Sequence, residues 1–176
     1  MSTDTERLDE ANACHDADLP RGAALLRQID PAQLPAERWP SHAFLLNHVL
    51  GEKLLAWREA LGGQQRLIAL ARPTPALVLW RQLGSAALAA DAPEPLAQAV
   101  EALSAASAAS PERAHELLAL STAGYLLPSL PAGEAGARAL QALQPFGQTS
   151  WPTGGVLDAQ AAACANNLTN GVLDRP

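Results

Sequence analysis

Strand-forming residues are scarce in this chain: it has one tyrosine, two phenylalanines and few valines or isoleucines, while alanine and leucine dominate. β-branched and aromatic side chains stabilise a pleated sheet, and alanine and leucine are among the best helix formers, so the composition excludes a β-rich fold and predicts an all-α one. Basic residues are few as well. Lys plus Arg number 12 against 18 Asp plus Glu, a formal net charge of -6, a balance that argues against a nucleic-acid binder and gives little support to a cationic membrane-surface helix. No apolar run reaches the roughly 18 to 20 residues of a membrane span without a charge, Gly or Pro interrupting it.

The start, MSTDTERLDEANACHDADLP, is acidic where a secretory leader is basic, and it lacks an apolar stretch. A cytoplasmic chain is therefore expected. In a reducing compartment Cys14 and Cys164 are expected as free thiols, and the sequon at Asn167 has no role. With 176 residues the chain can bury one sizeable core. Residues 1–19 read as an acidic tail with at most a frayed helix, and 20–176 as a single helical domain.

Proline then divides the chain. A short helix from Pro20 carries Leu25, Leu26 and Ile29 up to the Asp30-Pro31 boundary, since the residue before proline is pushed out of the helical region. Ser41 is placed to cap a central helix over 41–61. At 100° per residue, Leu45, Leu46, Val49, Leu50, Leu54, Ala56, Trp57, Ala60 and Leu61 share a broad apolar face. Phe44 and Leu55 form a second small patch opposite, so this helix is expected to be packed on two sides and to end at Gly62-Gly63.

A short helix over 64–71 follows. Thr74-Pro75 supplies a cap and first residue for a helix with Leu79, Trp80, Leu83 and Ala87 on one face, and Gly84 implies either close approach of another helix or room for the indole of Trp80. The next helix, from the junction at 91–95, buries Leu96, Val100 and Leu103. Further helices are predicted from Ser110-Pro111 through Tyr125, over 133–143, and in the small-residue segment ending near Asn170-Gly171. No repeat signature recurs between the segments. The architecture expected is an irregular bundle or a short stack of helical hairpins, with about seven or eight helices.

The polar groups do not assemble into a recognisable catalytic motif. His42 and His48 differ by about 240° on a helix and cannot grip one ion in the manner of a pair four residues apart. His48 instead lies one turn before Glu52, with Glu59 further along the same strip, the pattern of a solvated edge. Lys53 is expected to lay its stem over Trp57 and send its ammonium to water. Cys14-His15-Asp16 resembles a fragment of a metal or nucleophile cluster without a spaced partner. His115 with Cys164 is the other thiol-imidazole combination conceivable, and neither glycine pair has phosphate-loop spacing. No metal, cofactor or catalytic residue is assigned.

Among the four tryptophans, Trp57 and Trp80 are expected in the core. Trp39 and Trp151, in proline-bearing loops, and Phe146 beside Trp151 are the expected contact residues for a partner.

The stretch ARPTPALVLWRQLG, followed by PEPLAQAVEALSAASAASPERAHELLAL, resembles a family of short helical proteins of unknown function. That family is encoded beside type VI secretion and forkhead-associated-domain genes in proteobacteria. The resemblance spans roughly residues 20–170 and implies an accessory or adaptor role beside a secretion machine, with no catalytic residues to carry over. The reading is thus a non-enzymatic interaction protein whose partner is another protein, with neither nucleic acid nor membrane. The alternatives are a small hydrolase or transferase whose site assembles only in three dimensions, and an immunity protein with an acidic concave face.

Overall fold

The computed structural model describes residues 2–73, 75–109, 122–123, 125–126, 129–130 and 133–143. All regular structure among them is helical, with seven α-helices, one π-helix and two short 3-10 turns. The all-α expectation holds. The chain divides into two compact units, Met1–Ala90 and Asp91–Pro176, so a boundary falls at Ala90 inside the stretch read as one domain.

In the first unit the acidic segment is an ordered helix. Thr3 and Glu6 form a reciprocal capping box at the start of α1 (Asp4–Cys14), which satisfies two of the amides that a helix N-terminus leaves free. Leu8 and Ala11 are buried, and α1 packs against α2 (Leu19–Gln28). The reversal between them is tight. The Asp18 amide donates to the Cys14 carbonyl at 2.7 Å, and the Asp18 carboxylate caps α2 through the Arg21 amide. Gly22 lies against the His15 backbone, where an added Cβ would stand 3.2 Å from its Cα.

The expected central helix is not continuous. It begins as α3 (Trp39–Leu45), with Pro40 in its first turn so that Ser41 lies inside it, and widens into a π-helix over Leu46–Lys53. It breaks at Leu54–Ala56 and resumes as α4 (Trp57–Leu70). Gly51 explains the break: the Trp57 ring folds back against it so closely that a Cβ there would meet two ring carbons at 2.4 Å. Leu55, at the turn, takes a left-handed backbone with φ 56.

Gly62-Gly63 does not end the helix. At Gly63 a Cβ would meet Leu46 at 2.6 Å, so this glycine serves a close crossing, and α4 runs on through the segment expected as a separate helix. Leu45, Leu46, Val49, Leu50, Ala60 and Leu61 are buried as predicted. The opposite patch is not covered, since Phe44 is 47% and Leu55 77% exposed.

Helix α5 (Leu77–Ala89) starts without a side-chain cap, with Ala76 at the cap position in place of Thr74-Pro75. Leu79, Leu83, Gly84 and Ala87 are buried, whereas Trp80 and Trp57 are half-buried. A buried amide network ties these helices together. Gln64 donates to the Ala43 carbonyl at 2.7 Å and to Asn47 at 2.9 Å, and Asn47 donates to the Gln82 carbonyl at 2.8 Å and its side-chain oxygen at 2.7 Å. Buried amides paired in this way fix the relative positions of the helices that carry them.

In the second unit α6 (Pro93–Ala109) buries Leu96, Val100 and Leu103, as the sequence predicts. It packs on α7 (Glu134–Leu143), whose buried positions include Gly136 and Ala139. Small side chains at a helix contact let the axes approach. Arg138 on α7 bonds Glu101 at 3.1 Å and Glu94 at 2.6 Å.

Candidate functional site

The turn after α1 and the π-helix bring together three groups that the sequence separates. His15 and Asp16 stand on the turn, and His48 reaches them from the π-helix. One ligand atom from each lies within 4.8 Å of the others. His15 Nε2 is 3.3 Å from Asp16 Oδ2, and His48 Nε2 is 3.9 Å from Asp16 Oδ1. The rings meet edge to face, with centroids 5.3 Å apart, and Phe44 stacks on the His48 ring at 5.3 Å.

The outer nitrogens are held too. His15 Nδ1 lies 2.7 Å from the Asn12 carbonyl oxygen, and His48 Nδ1 lies 2.8 Å from Glu52 Oε2. A carbonyl or carboxylate oxygen only accepts, so each Nδ1 must donate, and in a neutral ring that leaves the Nε2 lone pair directed at the cluster. Lys53 completes it. Its ammonium bonds the Asp16 carboxylate and donates to the His15 carbonyl at 3.3 Å, where sequence reasoning sent it over Trp57 to water. That hydrogen bond is the main cause holding Asp16 below the ordinary carboxylate range.

The expected His48–Glu52 pair is therefore present, but it is one edge of a larger constellation. Glu59 lies outside it and forms a two-bond ion pair with Arg27 at 2.7 and 2.9 Å. The partner that Cys14-His15-Asp16 lacked in sequence is His48. Cys14 itself is free and half-buried, its thiol 3.8 Å from the Ala11 carbonyl.

A second feature is His42, only 3% exposed, with neither ring nitrogen hydrogen-bonded to protein. It borders a cavity of about 140 Å³ with Leu26, Ile29, Leu46, Leu50 and Arg66. Burial, with the Arg66 charge adding to it, lowers its pKa to about 4. Sequence reasoning weighs His42 only as a metal ligand and misses its burial, although the signal is there: His42, Leu45, Leu46 and Val49 follow the i, i+3, i+4, i+7 spacing of one helix face.

A third feature is the Leu54–Leu55 turn, where Leu54 is 39% exposed. It borders a shallow depression of about 490 Å³ whose lining includes Leu55, Trp57, Arg58 and Ala90. Of the expected contact residues, Trp39 begins a helix, is half-buried, and donates its indole N–H to the Pro31 carbonyl at 3.0 Å. It thus covers its own unit. Phe146, Trp151, His115 and Cys164 lie outside the described residues. Among the described residues, no helix is long and apolar enough to cross a membrane.

Comparison with known proteins adds no relative: no family model, no curated protein and no solved structure matches the chain.

Proposed function

We propose that the protein is a non-enzymatic interaction protein that engages another protein through the Leu54–Leu55 turn and the depression beside it. Leu55 carries this reading. A large apolar side chain is 77% exposed on a backbone held at φ 56, a conformation that costs an L-residue roughly 1–2 kcal/mol. Neither the strain nor the exposure helps the free chain. Both are offset if the side chain enters an apolar pocket on a partner, and strained backbone of this kind concentrates at binding sites.

The setting implied by the family resemblance is a cytoplasmic accessory of a type VI secretion machine, and the partner is then one of its components. The test is purification of the native and Leu55→Asp chains from the source cells with partner identification. A partner retained by the native chain and lost with Leu55→Asp, at unchanged helicity by circular dichroism, supports the reading. Equal retention by both chains refutes it.

A further inference from the structure

We infer that His15, Asp16 and His48 form a binding site for a single divalent cation of the zinc class, clipping the α1–α2 turn to the π-helix. Two imidazoles and one carboxylate are a donor set suited to zinc and its neighbours, and less suited to magnesium or calcium, which take oxygen ligands. A tetrahedral ion with bonds of about 2.0–2.2 Å spaces its ligands roughly 3.3 Å apart. The three ligand atoms lie within 4.8 Å of one another, and the two imidazoles approach different oxygens of Asp16, at 3.3 Å and 3.9 Å, so binding draws the ligands inward by up to about 1.5 Å through side-chain rotation.

The strongest support comes from the outer nitrogens. In metal sites the ligating histidine donates its other N–H to a carbonyl or carboxylate, which fixes the tautomer and the ring direction. Here both histidines do so, one to the Asn12 carbonyl and one to Glu52. A surface histidine–carboxylate pair does not require a second imidazole with the same orientation and the same kind of outer acceptor.

Lys53 argues at first sight against the site, because its ammonium sits on Asp16 Oδ1. It supplies there the positive charge that an ion would bring. Binding therefore moves Lys53 off Asp16, and the competition lowers the affinity without removing the site.

The experiment is calorimetric titration of Zn²⁺ into the untagged full chain carrying Cys14→Ser and Cys164→Ser, so that no thiol contributes. The expected result is saturable binding of one ion per chain and a rise in thermal stability on loading, since a ligand that binds only the folded state stabilises it. His48→Gln is expected to weaken binding about tenfold or more, and Glu52→Ala to weaken it by about tenfold through the lost outer hydrogen bond. Lys53→Gln is expected to tighten binding by roughly threefold or more, because the competing charge is gone. That gain cannot arise from misfolding. No saturable binding in either the parent or the Lys53→Gln chain, or an affinity that His48→Gln leaves unchanged, overturns the proposal.

Discussion

Replacing His42 with leucine is expected to remove most of an acid-linked loss of stability and to leave the neutral protein at least as stable. The imidazole has an ordinary value of 6.5 and is lowered to about 4 in the fold. Because the folded value lies below the unfolded one, the unfolded chain binds more protons between those limits. Stability from this group is therefore complete above pH 6.5 and is lost as pH falls toward about 4. At about 1.4 kcal/mol per pH unit the whole loss is about 3 kcal/mol, of which roughly 2 kcal/mol has gone by about pH 5. Leucine has no proton to bind and matches the walls supplied by Leu26, Ile29, Leu46 and Leu50. It also removes two ring nitrogens without protein partners, each unmade bond costing on the order of 1–3 kcal/mol. Urea unfolding of both chains near neutral pH and near pH 5 isolates the contribution of His42, since contributions from Asp16 and Glu59 cancel in the difference. Parallel pH dependence in the two chains would show that the ring is solvated in the fold and refute the reasoning, as would a neutral-pH loss above about 2 kcal/mol in His42→Leu.

Gly51→Ala should cost about 1–3 kcal/mol, because its Cβ would overlap the Trp57 ring and the indole must move. Chemical denaturation measures the cost, and a changed near-ultraviolet spectrum reports the displaced ring. Leu55→Asn should raise stability by about 0.5–1 kcal/mol, since asparagine tolerates the left-handed region better than leucine and little apolar burial is lost at a site 77% exposed. If it instead destabilises the free protein in a denaturant titration, the strain assigned to Leu55 is wrong.

Much of the fold was legible because helix burial is a local, periodic property. Leu96, Val100 and Leu103 recur at helical spacing and are all buried, and α2 ends at Gln28, just ahead of the Asp30-Pro31 boundary at which the sequence stops it. Glycine was read less well. Gly62-Gly63 looks like a helix stop when only propensity is considered, yet Gly63 is needed for the crossing at Leu46, a tertiary demand with no local sign. The ordering of α1 was missed for a different reason. Its capping box, Thr3 with Glu6, is a local signal in the sequence, but the acidic, weakly apolar composition of the segment is equally that of a solvated tail.

The candidate cation site is hidden by distance along the chain and by the π-helix together. Bonds from residue i to i+5 put more residues in each turn than an α-helix has, so a face assigned at 100° per residue drifts out of register across Leu46–Lys53. The errors follow that drift. Leu45, Leu46, Val49 and Leu50, before or early in the segment, are buried as assigned. Lys53 and Leu54, at its end, are not where they were placed: Lys53 turns to Asp16 and Leu54 is exposed. A constant-period reading locates His48 and Glu52 relative to each other, because four residues nearly complete a turn in either helix. It cannot locate them relative to the α1–α2 turn, and that relation is what brings His48 to His15 and Asp16.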